Sequence, residues 1–281
     1  MSGTYDIRSP LGIYEKALRP EPLKSLFSIA ARLGFDCFEI SLDESDARLC
    51  RLDWPRAQAD AVRRCAADSG IRLFSACLSG HRRFPLGSAD PEIEKRAVEI
   101  LQKAVIFCER VGIRVLQVMS YDVFYEPSSG DTVRRYLENL AGCARFSEAY
   151  GVTLAVEPIE HTHFQSPSDV RRILEHCGSP WLKIYPDVAN MAAVGIDPLP
   201  EIEGCMSDMA ALHIREALPE FFGNVPFGTG IVPFDGLFSL LKRKGYAGPI
   251  NIEMWYEEGM DDLSFVRNSL DFVRSGLAAA K

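Results

Sequence analysis

Residues 91–120 read Pro91-Glu-Ile-Glu-Lys-Arg-Ala-Val-Glu-Ile-Leu-Gln-Lys-Ala-Val-Ile-Phe-Cys-Glu-Arg-Val111-Gly112-Ile-Arg-Val-Leu-Gln-Val-Met-Ser120. Ile93, Ala97, Ile100, Leu101, Ala104 and Phe107 recur at helical spacing, so Pro91–Val111 is an amphipathic helix. Gly112 can take the left-handed conformation just past the helix without a Cβ penalty. Val115–Ser120 is then a short apolar run of strand length. The unit is helix, glycine, buried strand.

That unit recurs. Eight short apolar or β-branched runs are legible: Leu11–Tyr14, Cys37–Leu42, Leu73–Ser79, Val115–Ser120, Thr153–Ile159, Leu182–Val188, Ala210–Ile214 and Ile250–Trp255. Their starts lie 26 to 42 residues apart, and helix-period segments such as Thr132–Tyr150 fall between them. The same glycine junction stands at Leu33-Gly34-Phe35, Ser69-Gly70-Ile71, Tyr150-Gly151-Val152 and Lys244-Gly245-Tyr246. Alternating strands and helices predict an α/β fold with parallel strands. Eight units without a composition break or a Pro/Ser-rich linker predict one (β/α)8 TIM barrel domain over residues 1–281. The competing architecture, an open doubly wound sheet, usually carries a Gly-rich phosphate loop after its first strand, and neither GxGxxG nor GxxxxGK[ST] occurs here.

At 281 residues, 47% hydrophobic and 25% charged, the composition is that of a folded globular chain. The 31 basic and 39 acidic residues sum to −8, which opposes binding nucleic acid through its phosphates. No apolar run reaches the 18 residues of a membrane helix, so no membrane partner is expected. The polar opening, Met1 to Pro10, lacks a signal-peptide core and makes the cytoplasm the expected compartment. The eight cysteines form no CxxC pair and read as reduced packing residues.

In a barrel, chemistry gathers where the strands end. Glu157 interrupts Thr153-Leu-Ala-Val-Glu157-Pro158, Asp187 ends Leu182-Lys-Ile-Tyr-Pro-Asp187, His213 follows Met209-Ala-Ala-Leu, and Glu253 lies in Ile250-Asn-Ile-Glu253. Any one alone reads as a paired or core residue. Together, on strands five to eight, three carboxylates and an imidazole point to a divalent metal, because ionised groups in apolar strands need a partner. Three oxygens and one nitrogen suit Mn²⁺, Mg²⁺ or Co²⁺ ahead of Zn²⁺, with Mn²⁺ first. Glu157 and Glu253 also form a proton-transfer pair. With a ketose on the metal, one carboxylate removes the proton next to the carbonyl and the other returns it from the opposite face, passing through a cis-enediolate. Two bases favour epimerisation over isomerisation.

The sequence resembles the xylose-isomerase-like barrels of sugar epimerases, and within them the L-ribulose-5-phosphate (L-xylulose-5-phosphate) 3-epimerases. The likeness runs along almost the whole chain. Leu11-Gly-Ile-Tyr-Glu-Lys-Ala-Leu18, Arg51-Leu-Asp-Trp54, His81-Arg-Arg-Phe-Pro-Leu-Gly-Ser88, Gly112-Ile-Arg-Val115, Tyr185-Pro-Asp187, Asn224-Val-Pro-Phe-Gly-Thr-Gly230 and Ile252-Glu-Met-Trp255 carry it. The resemblance implies a metal on Glu157, Asp187, His213 and Glu253, acid/base catalysis by the two glutamates, a ketopentose 5-phosphate substrate and a homo-oligomer, the dimer being the simplest. The same superfamily holds tagatose-type epimerases of free ketoses and endonucleases of abasic DNA. The endonuclease reading needs a three-metal cluster, for which five histidines are too few. A hexulose or pentulose phosphate isomerase and a non-catalytic sugar binder are also compatible with this scaffold. Two departures bear on substrate detail: Arg215-Glu216 stands where Lys-Asp is usual, and Glu157-Pro158 resembles the free-ketose enzymes.

Candidate substrate contacts are His81, within Ser79-Gly80-His81-Arg82-Arg83, then Arg215, and the backbone of Gly228-Thr229-Gly230 for an anion. Asn190 is a candidate for a sugar hydroxyl or for capping the following helix. Tyr14 and Trp255 are candidate apolar walls.

Overall fold

The structure, a computed structural model, describes residues 9–280. The polar opening segment therefore lies outside the described residues up to position 8. Eight strands follow in order: β1 (Leu11–Tyr14), β2 (Cys37–Ser41), β3 (Arg72–Leu78), β4 (Val115–Met119), β5 (Thr153–Glu157), β6 (Leu182–Ile184), β7 (Leu212–Ile214) and β8 (Ile250–Ile252). All ladders are parallel, and neighbours run β6-β5-β4-β3-β2-β1-β8-β7. Two isolated parallel bridges, Ile184 with Met209 and Asp187 with His213, join the outer strands and close the ring. The closure matters for chemistry because its second bridge pairs two of the expected metal ligands.

The helix Pro91–Val111 has the expected bounds: Asp90 caps it by accepting from the Glu92 N–H at 2.8 Å, and it ends on Gly112. The expected Thr132–Tyr150 segment is helical over Gly130–Glu148, because Ser129 and Thr132 form a reciprocal cap that moves the start forward. All five junction glycines have positive φ. The later strands stop short of the expected runs. Pro158 ends β5, and Pro186 lacks the N–H needed to continue β6. Five cysteines, Cys37, Cys77, Cys108, Cys143 and Cys205, are buried among apolar side chains.

Around the axis the packing is polar. Between the pairs Phe38–Leu73 and Glu39–Ser75 the register shifts, so Phe74 is an extra residue and Glu39 faces Ser75. Glu39, Ser75, Gln117, Tyr185, His213 and Asn251 are all fully buried. Gly12 pairs with Asn251, whose side chain occupies the space a Cβ on Gly12 would need. Gly12→Ala is therefore expected to destabilise the protein by about 1–3 kcal/mol in urea unfolding, the usual range for overpacking a filled interior. A change below about 0.5 kcal/mol would contradict this packing.

Candidate active site

Glu157, Asp187, His213 and Glu253 are buried, and one donor atom of each lies within 4.8 Å of all the others. Glu157 is the last residue of β5, and His213 is the middle of β7. Glu253 follows β8, where its N–H still donates to Ile214 O at 3.2 Å. Asp187 sits at the start of the helix Val188–Ala193 and caps it by accepting from Ala189 N–H at 2.7 Å. Strand ends and one helix start thus converge four side chains, as the sequence pattern predicts.

The donor chemistry fits a divalent cation. His213 Nδ1 stands 3.6 Å from Glu157 Oε1 and 3.7 Å from Glu253 Oε2. Neighbouring donors 90–120° apart on an ion with bonds of about 2.1 Å lie about 3.0–3.6 Å from one another, so these spacings suit a shared ion. Charge also leaves room for a cation. Four buried carboxylates, Glu39, Glu157, Asp187 and Glu253, face one buried guanidinium, Arg215. With His213 neutral the sum is −3.

That imbalance shows in the proton affinities. Burial pushes Glu157 up to about 6, partly offset by the hydrogen-bonding and charge of His213. Burial pushes Glu253 up to about 8, with the His213 charge opposing and Glu157 reinforcing. For His213 burial acts downward, but the carboxylates of Glu39 and Glu253 outweigh it and hold the imidazole well above its ordinary range.

The sequence reading missed Glu39. His213 Nε2–H donates to Glu39 Oε1 at 2.8 Å, which aims Nδ1 at Glu157 and Glu253. Glu39 also accepts from Ser75 Oγ at 2.5 Å, Tyr185 Oη at 2.9 Å and Asn251 Nδ2 at 3.4 Å. Four donors fix the carboxylate. Gln117 was missed too; its Nε2 donates to Glu157 Oε2 at 2.7 Å. The signal for both was a polar residue inside an otherwise apolar strand.

The remaining expected contacts divide. Arg215 is at the cluster, where its Nε donates to Asp187 Oδ2 at 2.8 Å and lies 3.4 Å from Glu253 Oε2. Its guanidinium also donates to Asn190 Oδ1 and lies 5.3 Å over the Trp255 ring. Asn190 Nδ2 donates to Glu157 Oε1 at 3.3 Å, so Asn190 bridges Arg215 and a ligand carboxylate; Asp187, not Asn190, caps the helix. Tyr14 and Trp255 join Cys77, Met119, Tyr121 and Ile159 in an apolar wall.

His81, Gly228 and Gly230 are not brought there. His81 is buried against Ala97 O, with Nε2 at 3.2 Å, and burial pushes its imidazole down to about 4. The Gly228 N–H donates to the chain's own Glu216 at 2.9 Å, and Val232 N–H donates to the same carboxylate at 3.0 Å. A Cβ on Gly230 would overlap Ala217 O. Glu216 is thus the anion that this turn cradles, and the glycines serve its packing.

Two outcomes are expected. Glu39→Gln weakens Mn²⁺ binding about 10- to 100-fold in titration calorimetry, the usual effect of losing a carboxylate behind a ligand histidine; unchanged affinity would contradict the role of Glu39. The second concerns pH. Glu157, Glu253 and His213 all hold protons more tightly folded than unfolded, so their contribution to stability is complete below the unfolded values and is lost as pH rises through about 6 for Glu157 and about 8 for Glu253. Mn²⁺ binds only the deprotonated carboxylates and neutral imidazole. The rise in Tm on adding Mn²⁺ is therefore expected to be larger near pH 8 than near pH 6, and an equal or smaller rise at the higher pH would contradict the assignment.

Residues 27–276 match the family described as xylose isomerase-like TIM barrel. The L-ribulose-5-phosphate 3-epimerases UlaE of Escherichia coli and Escherichia fergusonii are each 40% identical over 272 residues, covering 96% of both chains. Among solved structures, a D-psicose 3-epimerase from Clostridium cellulolyticum has a TM-score of 0.80 at 19% identity, covering 95% of this chain and 99% of the other. An L-ribulose 3-epimerase has a TM-score of 0.80 at 21% identity, covering 96% and 95%. These two likenesses are of fold. With the barrel, the converged ligand set and 40% identity over nearly its full length, the chain belongs to the xylose isomerase-like TIM barrel family, within the L-ribulose-5-phosphate 3-epimerases.

Proposed function

We propose that this chain inverts C3 of a ketopentose 5-phosphate, interconverting L-ribulose 5-phosphate and L-xylulose 5-phosphate. It is an epimerase, as its relatives are named. The observation that carries the reading is the placement of Glu157 and Glu253, two buried carboxylates brought from different strands into one donor cluster. β5 and β8 are three places apart in a ring of eight, so their side chains approach the axis from directions roughly 135° apart. Two carboxylates so placed can address opposite faces of one carbon. The 40% identity to relatives named for a 5-phosphate and for C3 supports the substrate and the position.

Glu157, Asp187, His213 and Glu253 would hold the divalent cation, Mn²⁺ in our reading. When bound, such a cation would supply positive charge to the substrate carbonyl oxygen, which becomes negative as the C3 proton leaves. One glutamate takes that proton and the other delivers one to the opposite face; their roles exchange with the direction of reaction. Arg215 holds Asp187 and, through Asn190, orients Glu157. The wall of Tyr14, Cys77, Met119 and Tyr121, packed with Ile159 and Trp255, keeps water from the carbanionic carbon. One barrel domain spanning the chain, acting in the cytoplasm as a homodimer, completes the proposal. Among the described residues no helix is long and apolar enough to cross a membrane.

Proton NMR in D₂O, with Mn²⁺ and L-xylulose 5-phosphate, tests the reaction. Deuterium is expected at C3 as the epimer forms; label at C1 would make the chain an aldose–ketose isomerase, and product without label would exclude proton transfer to solvent. Glu157→Gln and Glu253→Gln are each expected to lower kcat by about 10²- to 10⁴-fold, the usual contribution of a positioned acid or base. A loss below about 10-fold in either variant would remove that glutamate from the chemistry.

A further inference from the structure

We infer that Gln117 is a positioning residue for the proton transfer at Glu157: its amide pins one oxygen of that carboxylate so that the other is presented to the cation. The inference rests on the epimerase reading and deepens it. β4 runs Val115-Leu-Gln-Val-Met119 with all five residues buried, and Gln117 is its one polar amide. In the ladders Gln117 stands level with Cys77 and Ala155, and Met119 stands level with Glu157. Residues two apart on a strand share a face, so Gln117 and Glu157 both face the axis, with the amide one layer below the carboxylate.

The contacts divide the two oxygens of Glu157. Gln117 Nε2 donates to Oε2 at 2.7 Å. Oε1 is the oxygen that lies 3.6 Å from His213 Nδ1, and it also accepts from Asn190 Nδ2 at 3.3 Å. The Gln117 nitrogen lies 3.4 Å from His213 Nδ1 as well, so one amide touches two of the four expected ligands. Glu253 is held differently. Among the described residues its carboxylate has Arg215 Nε at 3.4 Å and His213 Nδ1 at 3.7 Å, and no amide or hydroxyl donor.

Packing does not account for Gln117. It is fully buried, and its Oε1 has no hydrogen-bond partner among the described residues, a cost that Met or Leu at this position avoids. A residue that breaks a rule of core packing and makes its one short bond to an acid/base carboxylate belongs to the site. Without this donor Glu157 is free to turn about its terminal torsion, offering the cation both oxygens, or neither at the angle the C3 proton requires. The chemical step at Glu157 then suffers, while the groups that bind the rest of the ketose stay in place.

Four full-length proteins test this: the wild type, Gln117→Met, Glu157→Gln and the double variant, each titrated with Mn²⁺ by calorimetry and assayed on L-xylulose 5-phosphate at saturating Mn²⁺. Gln117→Met alone is expected to lower kcat about 10- to 100-fold, with KM within about 3-fold of the wild type, and to weaken Mn²⁺ binding about 10-fold. In the Glu157→Gln background the same change is expected to cost less than about 3-fold in either quantity, because a residue that acts through Glu157 has nothing left to position. Losses that multiply in the double variant, a rise in KM that matches the fall in kcat, or a single variant within about 3-fold of the wild type in kcat or in Mn²⁺ affinity, overturn the role. Gln117→Leu repeats the comparison, and failure of both substitutions to fold makes Gln117 structural and overturns it as well. A wild-type protein that places no deuterium at C3 overturns the epimerase reading instead, and the Mn²⁺ titrations then decide the hold on Glu157 by themselves.

Discussion

The barrel is organised around one electrostatic constraint: three carboxylates and an imidazole buried at the mouth of a closed sheet, with a fourth carboxylate, Glu39, beneath them and a single buried guanidinium, Arg215, beside them. Removing such charges from water costs several kcal/mol each unless they are paired or neutralised. The protein answers in three ways. Glu39 is saturated by hydrogen bonds from Ser75, Tyr185, His213 and Asn251. Asp187 takes a helix N–H and the Arg215 Nε. Glu157 and Glu253 hold their protons more tightly than usual, because burial disfavours their charged forms.

The same constraint explains local features with no evident packing purpose. The register shift at Phe74 sets Glu39 opposite Ser75, and Gly12 leaves space for Asn251 beside it. Pro186 ends β6 early so that Asp187 leaves the ladder and turns into the mouth as a helix cap. One of the two bridges that close the ring between β6 and β7 joins Asp187 to His213. Folding and ligand assembly share residues.

Much of this was legible in the sequence because its physics is local. Helical spacing through Val111, the glycine after it and the apolar run beyond fix one unit, and repetition of that unit fixes the barrel. Glu157, Asp187, His213 and Glu253 stood out because each broke an apolar strand near its end. Glu39 broke a strand in the same way, but it lies mid-strand, one layer below the mouth, and its importance depends on which side of β2 faces the axis. The substrate contacts were less legible. Where the His81 ring points is set by the tertiary packing of a single turn, with Ala97 O taking the imidazole. The glycine turn at Gly228 has the form of an anion nest, and only the fold reveals that Glu216 fills it. Arg215-Glu216, where Lys-Asp is usual, likewise proves to be two internally paired residues, one bracing Asp187 and the other the turn.

The central claim is that these side chains form one cation site. Anomalous diffraction from crystals grown with Mn²⁺ measures it most directly. The account requires a single strong peak about 2.0–2.3 Å from Glu157, Asp187, His213 Nδ1 and Glu253. A cluster free of anomalous signal at saturating Mn²⁺, or a peak held by other residues, would contradict it.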